Sequence, residues 1–412
     1  MTTATNLFTV ALGLQTPWSV EDIRFEPEQG EIHFHLVSRE QRLNCPVCGA
    51  NSQPIHDRVT RSWQHLHFFA YRAYLHARVP RVACGDCGKV TQVALPWARP
   101  GSGFTLLMDA LILTLAQQLP VRRIAALLNV SAKRVWQTVN VWVEAARRQE
   151  SFGQVVHLGV DEKHVGRLGY LTLFHDLERR RVLVGTPGRD ARTFTAFRED
   201  FQAHGGAIEA VQAIAMDLSK AYQAGARQVA PDTAICFDGF DLAKLVHAAL
   251  EAVRRQEVKQ VSDLKGIRWG TLKAPRNWTR RQMNDMYWLQ RSGLKTARAW
   301  RMKERWQELH QLARHGQPAE PLYRAFISWA RRSRLEPFKQ LGATFKAHLE
   351  GILNAYTLNL SNAVAESINS LIQAAIVRAR GFRTFRNLMN IVYLTAGKLT
   401  HLPASPFSHA IA

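Results

Sequence analysis

Val155-Val156-His157-Leu158-Gly159-Val160-Asp161 is the stretch that decides the fold. It is a short apolar run, rich in β-branched residues, that ends on a carboxylate. It reads as a buried strand that delivers Asp161 to the rim of a sheet. Working outward, Tyr170–His175 and Arg181–Gly185 read as two further strands in hairpin order. A helix over Thr193–His204 follows. Val211-Gln212-Ala213-Ile214-Ala215-Met216 is then a second apolar strand, and it ends on Asp217. Ser219–Ala226 reads as a helix, and Ala234-Ile235-Cys236-Phe237 as a strand ending on Asp238. Three strands in hairpin order, then helix, strand, helix, strand, predict a mixed α/β sheet. Cys236 reads as core.

Strand ends hold side chains rigidly, and a packed helix brings a third carboxylate to them. Glu366 fits that role inside Asn362-Ala363-Val364-Ala365-Glu366-Ser367-Ile368-Asn369, a helix-like segment. Hard oxygen donors of this kind suit Mg²⁺ or Mn²⁺. Two such ions roughly 3.5–4 Å apart drive phosphodiester cleavage and strand transfer. Asp161 is preferred to Glu162, because adjacent strand residues point to opposite faces. Asp238, Asn362 and Asn369 are candidate supporting residues. A single strand-end Asp is as readily a helix cap. The set points to metal because clustered carboxylates repel and are tolerated chiefly when a cation neutralises them.

The chain has 412 residues, enough for two to four domains, and 46% hydrophobic content, as in globular proteins. Its 54 basic residues outweigh 33 acidic ones by 21 charges. That excess points to a polyanion, since each neutralised phosphate releases counterions. No membrane anchor stands out. The longest apolar stretch, Thr105 to Leu119, is short for a bilayer and contains Asp109. Met1-Thr2-Thr3-Ala4-Thr5-Asn6 lacks the basic start of a secretory signal. The expected location is the cytosol, at the nucleoid when DNA is bound, where paired cysteines suggest metal before disulfide.

Two knuckles, Cys45-Pro46-Val47-Cys48-Gly49 and Cys84-Gly85-Asp86-Cys87-Gly88, supply four thiols. They are expected to make a closed Zn²⁺ site of structural type, the other readings being a redox dithiol or four unrelated cysteines. The 35 residues between them exceed the usual spacing, and their aromatic, alternating sequence suits a β-hairpin. Further on, Leu119–Leu128, a turn at Asn129-Val130 and a Ser131-capped helix from Ala132 to Val139 make a helical pair. Ser131, Lys133, Arg134 and Gln137 would stand at the exposed start of the second helix, where a recognition helix meets base edges. Residues 251–340 look helical. They carry 21 basic against 8 acidic residues and six of the eleven tryptophans: Trp269, Trp278, Trp288, Trp300, Trp306 and Trp329. Exposed Trp there would stack on unpaired bases, whereas buried Trp would form a bundle core. Arg276, Arg280 and Arg281 in this block, and Arg378, Arg380 and Arg383 near the end, are candidate phosphate contacts.

With these pieces in order, the chain resembles bacterial insertion-sequence transposases of the ISL-three type. The resemblance rests on Gly159-Val160-Asp161-Glu162, on Met216-Asp217-Leu218-Ser219 with Tyr222, and on Ser361–Asn369 followed by Arg378-Ala379-Arg380-Gly381-Phe382-Arg383. It covers nearly the whole length. It implies a multidomain α/β protein, with an RNase H-like mixed-sheet catalytic domain interrupted by a helical insertion. A zinc-binding β segment and a helix-turn-helix precede that domain. It implies catalytic Asp161, Asp217 and Glu366 holding two Mg²⁺ or Mn²⁺ ions, and double-stranded DNA as partner, both terminal inverted repeats and target. A homodimer or larger assembly is expected, because two element ends must be held together. The expected layout is an N-terminal segment 1–40, a zinc domain 41–98, a helix-turn-helix domain 99–150, and catalytic parts at 151–242 and 343–400. These parts flank the basic insertion at 243–342, and a tail covers 401–412. Two positions depart from the family pattern. Asp241 stands where Asp-x-x-His commonly places His, and Gln373 where a basic residue often follows the Glu motif. The rival readings are a non-catalytic DNA-binding regulator and an RNase H-like nuclease without strand transfer.

Overall fold

The computed structural model describes residues 3–407, so 408–412 of the expected tail lie outside the described residues. It divides into two compact units, one running to Arg147 with the stretch from Leu399, the other Arg148–Lys398.

The first unit opens with α1 (Ala4–Ala11) and strands β1 (Trp18–Glu26), β2 (Glu31–Ser38), β3 (Arg42–Leu43), β4 (Gln53–Gln64), β5 (Arg72–Ala83) and β6 (Val90–Gln92). The sheet order is β1-β2-β5-β4-β3, with β6 also paired to β5. β2 alternates strictly: Ile32, Phe34 and Leu36 face the core, and the residues between them face outward. Because β2 pairs in parallel with β5, the first 40 residues share one sheet with the cysteine-bearing segment. The boundary expected at 40/41 therefore falls inside that sheet. β4 and β5 form the long hairpin that consumes the wide cysteine spacing.

Helices α2 (Leu106–Ala116), α3 (Val121–Leu127) and α4 (Ala132–Arg148) complete the unit. Asp109 on α2 is fully buried. It accepts hydrogen bonds from Arg99 Nε at 2.8 Å, Thr138 Oγ1 at 2.9 Å and Trp142 Nε1 at 2.9 Å. One carboxylate thus ties α2 to α4 and to the segment before α2. A buried charge is kept only with such partners.

The second unit contains β7 (His157–His164), β8 (Tyr170–Asp176), β9 (Arg181–Pro187), α5 (Arg192–Ala203), β10 (Ala213–Met216), α6 (Lys220–Val229) and β11 (Ala234–Phe237). The helices α7 (Gly239–Val258), α8 (Arg268–Leu272), α9 (Arg280–Arg291), α10 (Lys295–Arg314), α11 (Ala319–Arg332), α12 (Glu336–Ala347) and α13 (Leu349–Thr357) follow. α14 (Ala363–Ala379) and α15 (Phe385–Ala396) close it. The strand order is β11-β10-β7-β8-β9. β7, β8 and β9 are antiparallel neighbours, while β10 and β11 run parallel to β7. The expected mixed α/β sheet is present. β7 runs three residues beyond Asp161, because β8 continues to pair with it after β10 has ended.

α5 covers one face of the sheet through Phe197, which stacks on Phe174, and Phe194, which meets that ring edge-on. α14 covers the opposite face. A Cβ added at Gly159 of β7 would lie 3.1 Å from Asn362 Oδ1 and 2.7 Å from Leu177 Cδ2, so glycine lets α14 sit close. One buried cluster runs from Phe174 and Phe197 through Val246 on α7 to Trp306, Phe326 and Phe345. The tryptophans divide accordingly. Trp300 and Trp306 are core and Trp278 packs against it, whereas Trp269, Trp288 and Trp329 are exposed. α12 and α13 follow one another with a break at His348. Among the described residues no helix is long and apolar enough to cross a membrane.

Candidate functional site

The four thiols meet at the base of the β4–β5 hairpin. Each knuckle turns on a glycine with positive φ, 77° at Gly49 and 67° at Gly88. The Gly49 N–H donates to Cys45 O, and the Gly88 N–H to Cys84 O, each at 3.0 Å. Cys45 Sγ lies 3.8 Å from Cys87 Sγ, and Cys48 Sγ 3.5 Å from Cys84 Sγ. A tetrahedron with Zn–S bonds of about 2.3 Å has S···S edges of about 3.8 Å. A disulfide needs about 2.05 Å. All five cysteines are free, and all four knuckle sulfurs lie within 4.8 Å of one another. Backbone N–H groups of Cys48 and Val47 pull the Cys45 thiol down to about 7, while the neighbouring Cys84 thiol and burial push Cys48 up to about 12, so a bound cation is what would let all four ionise. Cys236 is buried in β11, as expected of core.

The helical pair forms as α3 and α4, with Asn129 in left-handed geometry at the turn. Ser131 Oγ accepts from Arg134 N at 3.4 Å. Ser131, Lys133 and Gln137 are exposed. Arg134 differs from them. Its guanidinium lies 3.9 Å over the Phe104 ring and donates to Gly103 O at 2.8 Å. The expectation that it stands free beside base edges is corrected: it braces α4 against the segment that leads into α2.

The acidic residues gather at one end of the second sheet. β10 pairs with β7 as far as Ala215–Gly159 and with β11 as far as Met216–Phe237, so Asp217 and Asp238 leave the ends of adjacent strands at the end of the sheet where Asp161 stands two residues beyond Gly159. Asp161 shares the α14 face with Gly159. Asn369 Nδ2 on α14 donates to Asp161 Oδ2, and Asn362 Nδ2 donates to Val160 O at 3.3 Å. Glu162 N donates to Asp161 Oδ1 at 2.8 Å, and Ser219 N to Asp217 Oδ1 at 2.9 Å. Asp238 caps α7 through Phe240 N. Glu366 is exposed on the first turn of α14. The side chain of Glu162 belongs to the other face, near Thr172 and Tyr222.

These carboxylates feel one another. Burial, then the charges of Asp241 and Asp217, push Asp161 up to about 6. Burial also raises Asp217, Asp238 and Glu366, and the charge of Asp241 adds to each. The acidic oxygens do not close as tightly as the thiols. Among the described residues, the groups whose ligand atoms all lie within 4.8 Å are the four cysteines and Glu26 with Glu31 and His33. The donor set nevertheless fits a divalent cation. Asn369 Oδ1 is buried beside Asp161 without a hydrogen-bond partner, a further hard oxygen at the same place. Metal affinity should therefore depend on pH. Below about 6 a proton occupies Asp161 and leaves a neutral, poor ligand. At sub-saturating Mn²⁺, the loss of the free Mn²⁺ resonance should reverse as the pH falls from 8 to 5, because protons then compete with the cation for Asp161. A flat profile would mean that Asp161 holds no metal.

Asp241 was visible in the sequence only as a departure from the family pattern. Its Oδ1 accepts from Lys244 Nζ at 2.8 Å, one helical turn on along α7. The spacing of three residues was the signal available. Arg276, Arg280, Arg281, Arg378, Arg380 and Arg383 are all exposed. Near the first three, Asn284, Tyr287, Trp288, Arg291 and Ser292 line a hollow on α9.

Comparison with known proteins places this arrangement. Residues 158–392 match the ISL3-type DDE domain described as "Transposase". The chain belongs to the ISL3 transposase family. Residues 93–140 match the helix-turn-helix domain of that family, and residues 41–87 the zinc-finger of the transposases of IS204, IS1001, IS1096 and IS1165. The chain is 27% identical over 444 residues to the transposase for insertion sequence element IS1557 of Mycobacterium tuberculosis, covering 98% of this chain and 97% of that protein. It is 25% identical over 390 residues to the transposase for IS1001 of Bordetella parapertussis, covering 90% and 94%. As an ISL3 transposase it pairs a DNA-binding helix-turn-helix with a four-cysteine cluster suited to structural zinc and a domain type that implies a divalent metal.

Proposed function

We propose that this transposase binds the terminal inverted repeats of its own insertion sequence, releases 3′-OH ends and joins them to target DNA. Asp161, Asp217 and Glu366 are the catalytic carboxylates of this reading. The second unit is then an RNase H-like domain, and α7–α13 include the helical insertion. The observation that carries it is the strand arrangement: Asp217 follows directly on β10 at the end of the sheet where Asp161 stands on the adjacent β7, while the helix bearing Glu366 packs on the Asp161 strand. The sheet order, three antiparallel strands flanked by two parallel ones on the β7 side, supports the RNase H-like assignment. The relatives are transposases of insertion sequences by name.

Asp161 and Asp217 would hold the cations from the strand ends, Asn369 would orient Asp161, and Glu366 would close the site from α14. Bound there, two Mg²⁺ or Mn²⁺ ions would activate the attacking oxygen and stabilise the leaving one. The carboxylates hold no covalent bond to DNA at any stage. Water attacks a phosphodiester at the element end and leaves a 3′-OH. That hydroxyl then attacks a target phosphodiester and displaces a new 3′-OH. Ser131, Lys133 and Gln137 would meet DNA from α4. Arg276, Arg280, Arg281, Arg378, Arg380 and Arg383 would meet phosphates, and Trp288 with Tyr287 would stack on unpaired bases. A dimer or larger assembly would pair the two ends.

The test is an Mg²⁺-dependent assay on a plasmid carrying both element ends. Joined end-to-target products are expected. Nicked ends without joining would instead favour a nuclease, and binding without either product a regulator.

A further inference from the structure

The outward face of the first sheet gathers a histidine and two glutamates at the turn end of the β1–β2 hairpin. Glu26 and Glu31 are direct cross-strand partners, so their side chains share a face. His33 lies two residues beyond Glu31 on β2 and joins them there. Its Nε2 stands 3.2 Å from Glu31 Oε2 and 3.8 Å from Glu26 Oε2. One ligand atom from each of the three residues lies within 4.8 Å of the other two. On the opposite side of β2, Ile32 and Phe34 are buried, which fixes the rotation of the strand.

The neighbours orient this set. Arg72 on β5 pairs with Glu31 Oε1 at 2.8 Å, and the other oxygen of that carboxylate faces His33. His33 Nδ1 shares a hydrogen bond with His76 Nε2 at 3.0 Å, and His76 Nδ1 shares one with Ser62 Oγ at 2.7 Å. The Tyr74 ring stacks on His33 at 5.3 Å. The imidazole is thus held from β4 and β5, with Nε2 turned to the carboxylates. Arg24, across the hairpin from His33, is drawn to Asp22 at 3.2 Å. Among the described residues, the one ion pair of Glu26 is its 3.8 Å contact with His33. Like charges directly opposite one another destabilise a strand pair, so Glu26 facing Glu31 calls for a cation between them.

We infer that Glu26, Glu31 and His33 form a second metal site, separate from the four cysteines, which takes a first-row transition ion of the Co²⁺ to Zn²⁺ class through His33 Nε2 and one oxygen of each glutamate. Imidazole and carboxylate donors suit such ions. Metal–ligand bonds of about 2.0–2.2 Å set neighbouring ligand atoms roughly 3.0–3.5 Å apart, close to the separations found. The surroundings also fit, because a ligating histidine donates its other N–H to a partner and ligating carboxylates are themselves hydrogen-bonded. With metal bound, His33 Nδ1–H donates to His76 Nε2, and His76 Nδ1–H to Ser62 Oγ. Three protein ligands leave a position for water, and the ion ties the β1–β2 turn to β5. The competing occupant is a proton on His33 Nε2, which would pair the ring with the glutamates without metal.

The test uses the full-length protein, zinc-loaded at its cysteines, in an Asp217→Asn background that disables the proposed catalytic site. Co²⁺ is the probe, because it ranks below zinc and leaves the thiolates' ion in place. Equilibrium dialysis near neutral pH, in excess Mg²⁺, should find Co²⁺ bound to the parent protein. His33→Gln and Glu26→Gln should each weaken that binding at least about tenfold, since losing an outer-shell partner alone costs about that much. His76→Phe should weaken it by about tenfold. Glu26→Gln, on a half-exposed side chain, keeps the test open should His33→Gln fail to fold. As a second readout, Co²⁺ should raise the melting temperature of the parent and not that of the two ligand variants. Equal Co²⁺ binding by the parent and both variants, or none by the parent, overturns the site and leaves His33 as an imidazolium paired with two glutamates.

Discussion

Asp217→Ala should reduce Mg²⁺-dependent cleavage at the element end by at least roughly a thousandfold, about 4 kcal/mol on the barrier. Binding of the terminal repeat should stay within a few-fold of wild type. The expectation comes from where Asp217 sits. It follows directly on β10, whose buried residues Ala213–Met216 fix it, and its Oδ1 already accepts from Ser219 N at 2.9 Å. Removing the carboxylate takes away a proposed metal ligand and leaves the strand unchanged. The residues offered for DNA recognition lie on other elements. A band-shift assay and a cleavage assay on the same DNA separate the two effects. Cleavage that persists in Asp217→Ala would remove Asp217 from the catalytic set, and parallel loss of binding and cleavage would show that the substitution damages the fold.

The other large effect concerns zinc. The four sulfurs already lie within 4.8 Å of one another, with separations of 3.8 and 3.5 Å in two of the pairs, so the site needs little rearrangement to close. Structural zinc sites contribute apparent binding free energies of about 10–16 kcal/mol at neutral pH, comparable to the whole stability of a domain. Cys84→Ser, or prolonged chelation, should therefore abolish the cooperative melting of the N-terminal sheet. Metal analysis should find one zinc per wild-type chain and much less in the variant. Wild-type protein, purified reduced and containing almost no zinc, would contradict the assignment. So would a Cys84→Ser variant that melts like wild type.

Much of this was legible in the sequence, for identifiable reasons. β10 and β11 are short buried strands and β7 is buried over Leu158–Val160, so each shows an apolar run that leads to an acidic residue. The knuckles were legible because CxxC followed by Gly is a local geometry. The hairpin between them explains a spacing that alone looked too wide. What escaped depends on distant partners. The parallel pairing of β2 with β5 leaves no local mark, so the N-terminal segment looked separate. Arg134 looked like its exposed neighbours until Phe104 and Gly103, some thirty residues earlier, came beneath it. Asp109 looked like an interruption in an apolar helix, and its partners Thr138 and Trp142 come from α4. Composition alone could not divide the tryptophans, since the same residue serves as core at Trp306 and stands exposed at Trp269.

The central claim is that Asp161, Asp217 and Glu366 jointly hold divalent cations. Anomalous diffraction from Mn²⁺-soaked crystals of the protein with a terminal-repeat end tests it most directly. Two manganese peaks roughly 3.5–4 Å apart, bounded by those three carboxylates, are the predicted result. Manganese that binds elsewhere, with Glu366 still turned to solvent and no peak beside Asp161 and Asp217, would contradict the account.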